Sequence, residues 1–206
     1  GLGDSVAETV ASREGKIRGT CLEIAQIVNN WRYRVIGGME TALLLWEACY
    51  IPSLLSGAGT WTEITATTEK KLNILQCWYL KLVFQVSQGA PSASLLWDLA
   101  TLDMSLRVWK EKVLLILHIR KLEHTTLAWQ VYNEQKRNDW PGLAEDTKGI
   151  CEKLSIEDCN ITQISKEKYV RILHQALHQK NEQNLRILAK GKCERIAYEE
   201  YGRKEY

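Results

Sequence analysis

Proline occurs only three times in the 206 residues and phenylalanine once. So few prolines leave room for long helices, since a proline inside a helix removes a hydrogen bond and clashes with the preceding turn. No stretch approaches the roughly 18 uninterrupted apolar residues that a membrane span needs, so no membrane partner is expected. The first residues hold no basic start followed by an apolar block, so no signal peptide is read. Beginning at Gly1 without Met, the chain reads as an excised piece.

No two of the six cysteines (Cys21, Cys49, Cys77, Cys151, Cys159, Cys193) have C-x-x-C spacing. Cys49 and Cys77 lie in apolar stretches, where a free cysteine behaves as a small buried hydrophobe. Scattered cysteines of this kind point to a reduced intracellular protein, nuclear or cytoplasmic. An Asp-Asp dipeptide, a G-x-S-x-G elbow and a glycine-rich phosphate loop are all missing. His174 and His178 stand at i, i+4, but no Glu completes H-E-x-x-H and no third ligand follows at fixed spacing. His118 sits in an apolar run and reads as a core histidine. The expectation is a chain without metal, cofactor or catalysis of its own.

What is present is helical periodicity. The chain is 45% hydrophobic, with 8 tryptophans as large anchors. A first helix spans about 4–30, capped by Asp4 or Ser5, with Gly15 and Gly19 as places where it can break. The next runs over 39–49, with Met39, Ala42, Leu43, Trp46 and Tyr50 at helical spacing. Pro52 should kink it or begin a new turn. Gly57 and Gly59 then permit a tight path that side chains would obstruct, and Trp61 should be buried beyond it. A helix opened by Thr67 runs to about 86, with Leu72, Leu75, Tyr79, Leu82 and Val86 along one face and Trp78 broadening it. After a loop at 87–91, a short helix continues to about 97.

Residues 102–122 form the expected central helix, because 113–119 is apolar nearly all round. Another helix covers about 126–136. Asn138-Asp-Trp-Pro-Gly142 is the strongest punctuation in the chain, and a subdomain boundary is expected there, giving domains 1–138 and 139–206. A short helix at 143–154 and a polar loop to 163 come next. Ser165 then caps a long helix with Tyr169, Ile172, Leu173, Ala176 and Leu177 on its apolar face, and the tail after Gly191 is charged. The fold class is all-α: a multi-helix bundle with a smaller C-terminal helical subdomain.

The formal net charge is only +2, but it is unevenly spread. Residues 107–121 hold 5 basic and 1 acidic side chains, and residues 166–206 hold 10 basic and 6 acidic. Residues 36–106 and 122–165 are acidic by 3 and 4 charges. Basic blocks can contact phosphates without reading sequence; equally, they can be solvated faces. Arg13, Lys16 and Arg18 surround Gly15 and Gly19, and small residues beside basic ones allow close approach to a phosphate backbone. Trp31-Arg32-Tyr33-Arg34 alternates aromatic and cationic side chains, suited to stacking with phosphate contact or to cation–π contacts within a loop. Lys110, Arg120 and Lys121 complete the candidate set.

The order of residues in Tyr50-Ile-Pro-Ser-Leu-Leu-Ser-Gly-Ala-Gly-Thr-Trp61, after an apolar helix, resembles a segment downstream of the palm in reverse transcriptases of LINE-type (non-LTR) retrotransposons. Gly1–Gly3 resemble the residues just after the primer-grip hairpin, Val10–Arg18 the start of the thumb, and Leu95-Leu-Trp-Asp98 the helical region beyond it. The resemblance covers about 1–135 and rests mostly on packing residues. It departs at Ser56, where the family often has an aromatic, and at Gly59, where it often has an acid. It implies the non-catalytic thumb and connector of an RNA-directed DNA polymerase, clamping a template–primer duplex (RNA–DNA or DNA–RNA) beside the parent's palm domain. Arg13, Lys16, Arg18, Arg32, Arg34, Lys110, Arg120 and Lys121 would then bind nucleic acid. The alternative is a helical interaction or scaffold module, such as a host-adopted fragment of such an element.

Overall fold

The computed structural model describes residues 6–30, 38–61, 64–156 and 165–190. Every regular element among them is helical, and no strand occurs among the described residues. The chain is all-α, as its periodicities require. It divides into two compact units, 1–57 with 63–95 and 58–62 with 96–206. The boundary expected at Asn138–Gly142 lies inside the second unit, because α-helices on both sides of that turn share one core.

In the first unit, α1 (Val6–Asn29) buries Val10, Ile17, Cys21, Ala25 and Val28. It is unbroken at Gly15 and Gly19, where an added Cβ would meet open space. The cap expected from Asp4 or Ser5 lies outside the described residues. The next helix, α2 (Gly38–Leu45), widens into a π-turn over Trp46–Tyr50 before α3 (Ile51–Leu54) begins. Pro52 explains the widening. It sits in the first turn of α3, cannot donate to the preceding turn, and its ring needs room there.

The widening also aims two aromatic rings into the core. Trp46 stacks on Tyr79 at 4.7 Å between centroids, and Tyr50 meets Tyr79 edge-on at 5.8 Å. Cys49, expected to be buried, instead points outward from the π-turn. Tyr79 belongs to α4 (Ala66–Phe84), and its hydroxyl donates to the Ala42 carbonyl at 2.8 Å. The true cap of α4 is Thr65, whose hydroxyl accepts from the Thr68 amide. Leu72, Leu75 and Tyr79 are buried as expected, but Leu80 and Val83 are buried too. Two neighbours explain the second buried strip, since α4 packs against both α1 and α2.

Gly57 ends the first segment of the first unit with φ of 74°, a conformation open to glycine. In the second unit a 3-10 turn, Ala58–Thr60, then lies against α6 (Met104–Ile119). Trp61 after it is 8% exposed. Ahead of α6 runs α5 (Ser92–Asp98), which the division between units crosses. Asp103 caps α6 by accepting from the Ser105 amide.

Val113, Ile116, Leu117 and Ile119 of α6 are buried, which makes it the central helix of this unit. His118 is exposed, which corrects the core reading: its run is apolar, but its position faces solvent. Around α6 lie α7 (Leu127–Asn138), α8 (Leu143–Lys153) and α9 (Lys166–Lys190). Ser165 caps α9 through the Lys168 amide, and Tyr169, Leu173 and Leu177 are its buried stripe.

Candidate nucleic-acid interface

Position decides which of the candidate cations can meet a phosphate. On α1, Arg13 is spent internally: its Nη1 donates to the carbonyls of Leu54 at 3.0 Å and Ser56 at 2.6 Å. These are carbonyls at the C-terminal end of α3, where no intrahelical donor remains and a cation suits the helix dipole. Arg18 pairs with Glu14 at 2.7 Å and lies 4.6 Å over the Trp78 ring. Lys16 is exposed. Arg32 and Arg34 lie outside the described residues. Of the three described cations, Arg13 and Arg18 are engaged within the fold and Lys16 is exposed.

In the second unit Arg120 is engaged as well, with Nε and Nη2 donating to the Tyr132 hydroxyl at 3.1 and 2.9 Å. Lys112 is buried and paired with Asp146. Lys110 and Lys121 are different. Lys110 is half-buried, Lys121 is exposed just past the end of α6, and neither side chain takes a hydrogen bond or ion pair among the described residues. Lys110 lies on the side of α6 that also carries Arg107, Glu111, Leu114 and His118 by helical spacing, and Lys121 follows in the turn after the helix.

Against that face runs α9. Asn181 fixes the register, accepting from the Asp103 amide at 3.1 Å and donating to the Thr101 carbonyl at 3.1 Å. Further along, burial first, then the charges of Lys110 and His178, hold the His174 imidazole below its ordinary pKa. At the far end Lys121 approaches Glu167. That carboxyl is held below the usual range by its own backbone amide and the Ser165 hydroxyl, then by Lys121 and Lys166. Residue 103 meets 181, while Lys110 and Lys121 act on the more N-terminal His174 and Glu167 in turn, so the two helices run antiparallel. The sequence reading missed Arg171 and His178 as part of this surface. Their signal was present: 167, 171, 174 and 178 fall on one flank beside the buried stripe of α9.

A separate cleft of about 480 Å³ lies between α7 and α8, bordered by Tyr132, Lys136, Asp139, Trp140, Glu145 and Lys148. Its two cations and two carboxylates cancel, so it offers no net charge to an anion. No three His, Cys, Asp or Glu side chains converge on a metal-sized point among the described residues. No described helix is long and apolar enough to cross a membrane.

Comparison with known proteins adds nothing to this geometry: no family model matches the chain, nor does any curated protein or solved structure.

Proposed function

We propose that this chain is a non-catalytic helical module that holds a template–primer duplex through sequence-independent backbone contacts, as the thumb and connector of a LINE-type reverse transcriptase would. The observation that carries this reading is the exposed end of α6, where Lys110 and Lys121 make no hydrogen bond or ion pair within 4 Å among the described residues. Cations along and just past a rigid helix suit phosphates. They position a duplex without reading its bases. A polymerase needs such a clamp because chemistry requires the primer end held in register.

The resemblance around Tyr50–Trp61 supports this family, with Gly59 a departure from its pattern. The scaffold reading draws on a different observation. Arg13, Arg18 and Arg120 serve the fold, which leaves a smaller basic surface than the sequence promised.

Titration of the chain with RNA–DNA hybrid at low salt tests the proposal. Binding should be weak, indifferent to sequence and steeply salt-dependent. Lys110→Ala with Lys121→Ala should flatten the salt slope by up to about 1.8, at roughly 0.9 for each phosphate no longer neutralised. Absence of binding, or an unchanged slope in the double variant, overturns the reading and puts the scaffold module ahead.

A further inference from the structure

Helix α7 is thinly packed. Of its 12 residues only Tyr132 is buried, and a helix of that length is marginal in water without tertiary packing. Leu127 and Val131, at i, i+4 on one flank, are 74% and 48% exposed, and Trp140 in the turn after the helix is 56% exposed. Gln135, the next residue in that i, i+4 row, borders the cleft between α7 and α8, as does Trp140. Two aliphatic side chains and an indole therefore flank one cleft. Scattered single apolar side chains are ordinary on a surface, but a group of them rimmed by charge marks an interaction site.

The charges around the cleft are ordered. At the end of α7, Asp139 is nearer the connecting turn and Lys136 lies about one helical turn farther from it; on α8, Glu145 is nearer that turn and Lys148 is farther. Each pair is separated by about 4.5 Å along its helix, at 1.5 Å per residue. The cleft thus has an acidic end at the turn and a basic end away from it. Asp139, Glu145 and Lys148 give none of this charge to the fold, since their side chains make no hydrogen bond or ion pair among the described residues.

We infer that this face, formed by α7, the turn after it and the start of α8, is an interface for a second copy of the chain. A two-fold contact needs a patch that is its own complement. Equal numbers of both signs, in the same order on both helices, meet that need: a two-fold axis across the row sets the acidic end of one copy against the basic end of the other. The same operation carries Trp140 of one copy toward the Val131 end of the other, where the indole covers apolar surface. A polyanion would meet both signs here and gain nothing net, which sets nucleic acid aside for this face. One helix and one cleft make a small interface, so the association belongs to the weak, transient class.

Sedimentation velocity of the full chain from about 5 to 500 µM tests this, a range that spans weak association. Wild type should pass from monomer to dimer and stop there, because a two-fold contact closes on itself. Two charge variants are compared with it: Lys136→Glu with Lys148→Glu, and Asp139→Asn with Glu145→Lys. Asparagine suits position 139, where φ is 48°. Each variant alone should self-associate at least about tenfold more weakly, since like charges then face each other. Mixed in equal amounts, the two should associate again, one face now acidic and the other basic. Leu127→Ser, Val131→Ser and Trp140→Ser together should also weaken the dimer at least about tenfold, with circular dichroism showing a retained helical fold. The charge variants keep these apolar residues, so they read the interface even where the serine variant loosens α7.

A wild-type chain that stays monomeric throughout overturns the second copy as occupant and leaves the face to a partner of different sequence. Open-ended growth in place of a dimer overturns the two-fold contact. Charge variants that dimerise as wild type does, or a mixture that fails to recover, overturn the pairing of acidic with basic ends. A dimer untouched by the three serines lies elsewhere on the chain and overturns the inference.

Discussion

Gly59 offers the sharpest test of the packing, because the space beside it is measurable. A Cβ built on Gly59 would lie 3.0 Å from Leu115 Cβ, 3.1 Å from the Glu111 carbonyl oxygen and 3.1 Å from Leu115 Cδ2. Non-bonded carbons prefer about 3.5–4.0 Å. Two of those three neighbours are fixed by the α6 backbone and cannot swing aside. Gly59→Ala therefore requires the 3-10 turn to retreat from α6 by several tenths of an ångström. Overpacking of this kind costs about 1–3 kcal/mol.

One effect opposes it. Alanine lowers the entropy of the unfolded chain, a stabilisation of about 0.4–1 kcal/mol. The overlap is larger, so the net loss should be about 0.5–2 kcal/mol, or roughly 1–8 °C in Tm for a chain of this size. Gly15→Ala and Gly19→Ala are the internal controls, since nothing lies within 4 Å of a Cβ at either position. Each should gain about 0.5–1 kcal/mol by removing glycine from a helix interior. Urea unfolding followed by far-ultraviolet circular dichroism reads all three. A Gly59→Ala midpoint at or above wild type would refute the close approach, and a lowered midpoint for Gly15→Ala would refute the continuity of α1.

Buried polar and thiol groups carry two more expectations. Asp146→Asn should destabilise by roughly 1–3 kcal/mol, because it leaves the buried Lys112 ammonium without its half-exposed counter-charge. Lys112→Met should cost far less or stabilise, and equal losses in the two variants by denaturant titration would refute the account. Burial pushes the Cys21 thiol up to about 12, against a smaller opposing pull from Arg18. At pH 8 Cys21 is therefore a thiol rather than the reactive thiolate, while Cys49 is exposed. Iodoacetamide labelling resolved by mass spectrometry should modify Cys49 well before Cys21; the reverse order would contradict the π-turn that turns Cys49 outward.

The fold was legible where one rule sufficed. The buried stripe of α9 follows from Tyr169, Leu173 and Leu177 at 3–4 spacing, and the corner from Gly57, Gly59 and Trp61. It was less legible where two rules compete. Thr65 caps α4 ahead of the threonines at 67 and 68 because its hydroxyl can reach the Thr68 amide from extended backbone. Cys49 and His118 look buried by their neighbours, yet an apolar run around a helix must still send some positions to solvent. For Cys49 the extra residue of the π-turn shifts the phase, and no periodicity at 3.6 residues contains that shift.

The candidate interface was partly legible for a related reason. Sequence counts cations, whereas a surface counts cations that the fold has not already used. Arg13 and Arg120 are drawn inward by a helix-end carbonyl and a tyrosine hydroxyl, partners 41 and 12 residues away that no local pattern displays. Lysines at 110 and 121 remain because α6 buries its opposite sides and leaves this one to water. A charge that is modest over the whole chain therefore does not argue against a polyanion partner. What matters is how many cations the fold leaves on one surface, and Lys110 and Lys121 are the ones α6 leaves.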